Sequence, residues 1–293
     1  MSDALKQDLS QEAEFANMLM IYLLFEQKPE LLGAETVKRA AEAKFGEVDA
    51  VSEEGELLSY AVKKYTAHFE EGDMPPFVLL GQGLKFDGGE AGALERSQLW
   101  DIEDGAEVLD SCKYSVMIAD MMGGAAMDRK DRCEMLMDWL EAVLALYPDC
   151  KAVWVPAGGK LTSPEVMRGG GLPRDQRFIF TCVNARFFNI EGTDGERVVD
   201  TLGMYAVGLP DVQLHFKGLD PNAVTDYAYN ICIYNYDENA PIASGETIDG
   251  LGGGEISREV QWKCQYEDSL IQPRRTVLDI EAGSFAAGVR DNA

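Results

Sequence analysis

The sequence predicts an α+β fold made of two ferredoxin-like, or split βαβ, units packed together. Three patterns predict it. Each half opens on an apolar run of strand length, then shows helical spacing, then a second strand run. The clearest helix, Asp128–Tyr147, lies between the apolar runs Tyr114–Met122 and Lys151–Pro156, which is a strand–helix–strand order. The chain also closes on two alternating runs, Ser257–Tyr266 and Arg275–Ile280, separated by Pro273, which suit an antiparallel pair. The halves share order but no residue-level repeat.

Taken in order, Ala16–Glu26 (ANMLMIYLLFE) is continuously apolar and reads as a buried strand, with a helix start as the competing reading. Gly33–Phe45 places Val37, Ala40, Ala41 and Phe45 at helical spacing and stops at Gly46. Glu47–Ser52, Leu57–Phe69 and Phe77–Leu80 read as strands, with Pro75-Pro76 between the last two. Residues 81–96 (GQGLKFDGGEAGALER) are glycine-rich and charged, so they read as a loop between subdomains. The expected division is therefore an N-terminal α+β subdomain over 1–90 and a C-terminal one over 97–293.

Beyond that loop, Cys133, Leu136, Met137, Leu140, Val143, Leu144 and Tyr147 share one face of the helix that Pro148 stops. Ser163-Pro164-Glu165 reads as a helix start. Phe178–Ile190 (FIFTCVNARFFNI) predicts a long strand, and Val198–Val207 a short helix ending at Gly208 with Pro210 beyond. Val212–Phe216 alternates as a strand. Asp220 before Pro221 predicts a capped helix reaching about Tyr236. The aromatic cluster Tyr227, Tyr229, Tyr234, Tyr236, Trp262 and Tyr266 is expected to pack on the terminal strands, the alternative being a protein-binding surface.

Composition narrows the function. With 26 Lys+Arg against 51 Asp+Glu, the formal charge is −25. Such a surface repels phosphate backbones and anionic lipid, so neither nucleic acid nor membrane is an expected partner. The six cysteines form no Cys-x-x-Cys pair and lie in apolar surroundings, as buried reduced thiols do. The first residues lack a basic stretch followed by an apolar one, and the longest apolar run, Met18–Phe25, is far too short to span a bilayer. These features predict a cytoplasmic protein.

No Gly-x-Ser-x-Gly elbow, GxGxxG or Gly-Lys-Ser/Thr loop occurs, and no cofactor or metal is predicted. The polar residues that stand out are Asp200, Asp211 and His215. Asp200 is expected near the start of the short helix, where a carboxylate can bond free backbone N–H groups. Asp211 follows Gly208-Leu209-Pro210 and suits a turn. Alternation puts His215 on the less apolar side of its strand, with Gln213. Structural roles account for all three. The chemical alternative is that they converge as an acid–base or metal site. His68 is the other histidine, and two histidines this far apart disfavour a His-rich zinc site.

The stretch Arg186–Val224, with VVDTLG, GLPD, LHF and LDPNAV, resembles DUF4261, a bacterial family of unknown function. SQLWDIEDGAEVL, CKYSVMIADMM and AVWVPAGGKLTSPEVM extend the resemblance, which covers roughly Ser97–Gly250. It implies a bacterial source and a mixed α/β fold, and it carries no activity. The expected function is accordingly a non-enzymatic adaptor or immunity-like module that offers an acidic surface to a basic protein partner. The alternatives are a metal-assisted hydrolase using Asp200, Asp211 and His215, and a small-ligand sensor.

Overall fold

The computed structural model describes residues 12–13, 16–53, 55–88 and 91–288. The fold is mixed α+β and divides into two compact units, one spanning Ala16–Cys182 and one beginning at Val183.

The first unit is built on β1 (Met20–Phe25), α1 (Ala34–Phe45), β2 (Val48–Ser52), β3 (Leu57–Val62), a small hairpin of β4 (Ala67–Phe69) and β5 (Gly72–Met74), and β6 (Phe77–Lys85). There follow the short α2 (Ala93–Arg96) and α3 (Gly105–Ser111), β7 (Tyr114–Met121), α4 (Arg129–Leu146), β8 (Ala152–Val155), β9 (Lys160–Thr162), α5 (Pro164–Arg168) and α6 (Arg177–Cys182). The seven-stranded sheet runs β2-β3-β6-β7-β1-β8-β9, antiparallel throughout. Strand β1 therefore sits between β7 and β8, so the strands flanking α4 are parallel but not adjacent.

Alternation along β1 divides the core. The Phe25 ring meets Tyr147 at the end of α4 edge-on at 5.6 Å. Its neighbour Leu24 packs instead with Leu99, Leu109, Cys112, Ala152, Trp154 and Leu161. Helix α4 starts where the sequence places it, because Asp128 Oδ1 accepts from Lys130 N at 2.9 Å and Asp131 N at 3.1 Å. Ser163 caps α5 in the same manner. The helix α4 is buried on more than one side: Trp139 is buried and its Nε1 donates to Leu79 O at 2.8 Å.

The glycine-rich stretch does not separate domains. Residues 81–85 belong to β6, which pairs with β7 in the same sheet. The register shifts between Gly81 and Leu84, and Gly83 holds φ 66°, so Gly81 and Gly83 mark a bulge inside the strand. The change of unit falls after Cys182 instead. Leu57–Phe69 likewise breaks at Val62 into β3 and β4.

The second unit comprises β10 (Asn184–Asn189), β11 (Glu196–Leu202), β12 (Asp211–Lys217), α7 (Pro221–Asp237), β13 (Thr247–Gly252), β14 (Glu255–Asp268) and β15 (Thr276–Glu281). The sheet order is β10-β11-β12-β15-β14-β13. Two antiparallel meanders meet at the parallel pair β12–β15. Its one long helix among the described residues, α7, is capped by Asp220, with Pro221 in its first turn. Tyr227 stands edge-on to Trp262 at 5.2 Å and its hydroxyl donates to Asp249 O at 2.8 Å. Tyr236 is buried, whereas Tyr234 is exposed. The terminal pair β14–β15 forms as the alternation predicts.

Two expectations in this region change. Phe178–Ile190 is not one strand: residues 177–182 are α6 and only Asn184–Asn189 is extended. Arg177 explains the turn, since its Nη2 donates to Asp138 Oδ1 on α4 at 2.9 Å, a tertiary bond that local propensity does not register. Val198–Val207 is not a helix either. Val198, Val199 and Thr201 are β-branched and continue β11, and only Met204–Val207 coils, as a 3-10 turn. Gly208 then takes φ 71°, ψ 28°, the left-handed corner expected of it.

Candidate functional site

Register alone assembles a polar row on one face of the second sheet. Arg186 lies opposite Asp200, Asp200 opposite Gln213, Gln213 opposite Asp279, and Asp279 opposite Gln265. Arg186, Asp200, Gln213 and Asp279 are all buried. The other face of β12 carries Val212, Leu214 and Phe216, also buried. Around β12 the sheet is thus apolar on one side and polar on the other, and Asp211–Leu214 are withdrawn from water on both.

Arg275, just ahead of β15, is the centre of the network. Its Nε donates to Asp211 Oδ2 at 2.8 Å and its Nη2 to Asp200 Oδ2 at 2.9 Å and to Thr201 O. Its Nη1 donates to Ile271 O at 3.2 Å and Pro273 O at 2.8 Å. These bonds use all five guanidinium donors. Asp200 also takes a two-pronged bond from Arg186, Nε to Oδ1 at 2.8 Å and Nη2 to Oδ2 at 2.6 Å, while Arg186 Nη1 donates to Gln272 O at 2.8 Å. Asp211 Oδ1 accepts from Thr201 Oγ1 and Met204 N, both at 3.1 Å, and its Oδ2 accepts from Tyr205 N at 3.4 Å. Thr201 Oγ1 in turn accepts from Val212 N at 2.9 Å and Cys232 Sγ at 3.4 Å. Gln213 extends the web, its Nε2 donating to Asp279 Oδ1 and Glu267 Oε1 and its Oε1 accepting from Leu270 N.

The electrostatics follow from burial. Asp200 and Asp211 are 0% exposed. Burial pushes the Asp211 carboxyl above its ordinary value, against the pull of Arg275 and the Met204 N–H. Burial alone would lower the Arg275 guanidinium, but the charges of Asp211 and Asp200 outweigh it and hold it above the usual range. Asp200 and Asp211 are balanced by the guanidiniums of Arg186 and Arg275, while the buried Asp279 is met by the neutral Gln213 amide.

The predicted residues separate accordingly. Asp200 and Asp211 do come together, through Arg275. Asp200, however, sits inside a strand, not at a helix start, so it bonds arginines and no helix N–H groups. His215 stands apart. It lies four residues beyond Asp211 on the same strand, about 13 Å at ~3.3 Å per residue, and its Nε2 faces Glu196 Oε2 at 3.0 Å. His68 is exposed beside Asp73, Nδ1 to Oδ1 at 2.8 Å. Among the described residues, no group of three or more His, Cys, Asp or Glu is placed to hold a metal ion. All six cysteines are free and buried.

Sequence reasoning passed over Arg186 and Arg275. The signal was present: an arginine inside a strand as apolar as Ala185–Phe188 requires a buried acid to face it.

Fold and network together define an α+β protein whose second sheet is organised around a buried aspartate–arginine cluster. Residues 200–281 match the model of DUF4261, a domain of unknown function, as the resemblance implied. The match runs from Asp200 to the end of β15 and so takes in Asp211, His215 and Arg275, but it leaves Arg186 and everything before it outside. No curated protein and no solved structure matches the chain.

Proposed function

We propose that this protein works without catalysis, as an adaptor or immunity-like module of the bacterial cytoplasm that presents an acidic surface to a basic protein partner. One observation carries the reading: Asp200 and Asp211, buried in the matched segment, are turned inward and neutralised by arginines, and Arg275 between them has no donor left for a ligand. The buried ion pairs Asp120–Arg132 and Asp138–Arg177 balance in the same way. The surplus of negative charge therefore belongs to the surface, where it steers a basic partner. Six free thiols support a reducing compartment. The order β8-β1-β7-β6, with α1 following β1 and α4 following β7, supports reading the first sheet as a split βαβ unit extended at its edges.

A hydrolase using Asp200, Asp211 and His215, and a small-ligand sensor, are the competing readings. Immobilised full-length protein, exposed to bacterial lysate at low and high ionic strength, separates them. Retention of a defined set of basic proteins at low salt, released as salt rises, supports the acidic-surface reading. Its failure, together with a hydrolytic turnover abolished by Asp200→Ala or a melting shift given by a small molecule, overturns it.

A further inference from the structure

The first unit carries an open apolar groove of about 660 Å³ where three segments meet: Asn17-Met18 ahead of β1, the β4–β5 hairpin, and the turn Met121–Ala126 after β7. Met18, Phe69 and Met121 line it and are 39%, 38% and 37% exposed, so three large apolar side chains share one solvent-facing spot. Met122 joins them, with its backbone at φ 65° in the left-handed region that a side chain rarely adopts.

The walls are fixed from beneath. Asp120 is buried on β7 and its Oδ1 accepts from Leu19 N at 2.6 Å and from Arg132 Nη2 at 3.2 Å. Arg132 Nη2 also donates to Ala16 O at 2.8 Å. A side chain at Gly123 would place its Cβ 2.5 Å from Asp120 Oδ2, so the turn closes tightly over the pair. His68 N donates to Ala126 O at 2.6 Å and ties the hairpin to the turn. The apolar side chains are thus held open to solvent on a braced frame.

The charge that lines the groove is acidic. Glu70 lines it, Glu71 and Asp73 are exposed on the same hairpin, and among the described residues no lysine or arginine lines it. Lys63 is occupied by Glu47 and Asp49 and Lys64 by Glu134, and Arg129 and Lys130, which follow the turn, lie between Asp128 and Asp131 in sequence and do not line the groove. Methionine and phenylalanine offer adaptable contact area, and a carboxylate rim over an apolar floor complements a helix that is apolar on one side and cationic on the other. An anionic lipid surface is opposed by the same rim.

We propose that this groove is a docking site for a cationic amphipathic helix of a partner protein. The helix seats its apolar side on Met18, Phe69, Met121 and Met122 and its lysines or arginines against Glu70, Glu71 and Asp73. The inference rests on the acidic-surface reading above and gives that surface a location and a ligand chemistry.

The test uses the full chain and labelled synthetic peptides read by fluorescence anisotropy. The peptides are a Leu/Lys amphipathic helix, the same composition shuffled to remove its apolar side, and a Leu/Glu counterpart. The wild type binds the first at least about tenfold more tightly than either control. Met18→Asp, Phe69→Asp and Met121→Asp each weaken it by about tenfold or more while the melting temperature is retained, and Glu70→Gln with Glu71→Gln flattens its salt dependence. Three separate positions guard against one variant failing to fold. Equal binding of the shuffled peptide, indifference to all three variants, or equal binding to phosphatidylserine vesicles overturns the proposal. If groove variants still retain the same basic proteins from lysate, the groove fails while the acidic-surface reading stands; if the wild type retains none, that reading fails too.

Discussion

Replacing Arg275 by methionine tests whether the aspartate–arginine cluster holds the second sheet together. The change keeps most of the side-chain volume and removes one charge. Asp200 keeps Arg186, with both prongs at 2.8 and 2.6 Å. Asp211 keeps only Thr201 Oγ1 and two backbone N–H groups and loses its sole guanidinium. Leaving one partner of a buried pair uncompensated costs about 3–5 kcal/mol. For a unit near 100 residues that lowers Tm by about 15–25 °C. Hydrogen exchange resolved by peptide mass spectrometry reads the two units separately, so the loss should fall on strands after Val183 and spare those before.

The same variant carries a pH signature. Asp211 is already held above its ordinary value by burial, and losing Arg275 raises it further. A folded-state value above the unfolded one contributes stability below the unfolded value, lost as pH rises through the folded one. The Arg275→Met deficit should therefore shrink towards pH 5 and widen towards pH 8. Adding Asp211→Asn should relieve much of it at neutral pH. A single variant within about 0.5 kcal/mol of wild type, or a deficit independent of both pH and Asp211, refutes the assigned role.

Other expectations follow from local contacts. Burial raises the thiols of Cys112, Cys150, Cys182 and Cys232, that of Cys150 to about 12, so a thiol reagent at pH 8 should label them only after denaturation. Gly250→Ala would set a Cβ 2.5 Å from the buried Trp262 ring and should destabilise the second unit by about 1–3 kcal/mol in urea unfolding. The Arg174 bond holds Glu134 below the ordinary glutamate range; at Glu141 the opposing effect of burial is outweighed by Lys44 and Arg177. Both contribute stability above the ordinary value and lose it as pH falls through their lowered ones, so amide protection around α4 should decline below about pH 4.

Where signals were local, the sequence was readable. Asp128, Ser163 and Asp220 each announce a helix start, and Gly208 its left-handed corner. Where contact decided, it was not. Val198-Val199-Asp200-Thr201 can satisfy a helical or an extended pattern, and only pairing with β10 and β12 selects the strand. Residues 177–182 are as apolar as a strand, yet Arg177 must reach α4. Asp200 and Asp211 were visible as landmarks, but Arg186 and Arg275 lie 14 and 64 residues from the carboxylates they neutralise. Nothing at short range pairs them.

The position of Arg275 also says why an ionic cluster is kept where an apolar one would pack. Among the described residues, the strands of the two meanders pair with each other at β12–β15, through Asp211↔Val277, Val212↔Leu278 and Gln213↔Asp279. Arg275 precedes Val277 by two residues and so shares its face with Asp211 across that seam. A slip of one residue would turn Arg275 to the apolar face and strand its charge there. The ion pair is expected to act mainly by penalising wrong registers, and less by stabilising the right one. Arg275→Met combined with Asp211→Leu separates these effects, since apolar replacement of a buried pair is often neutral in stability. The double variant should unfold within about 1 kcal/mol of wild type but show broadened or doubled amide resonances for β12 and β15. Single sharp resonances with wild-type exchange protection would mean that apolar packing alone sets the seam.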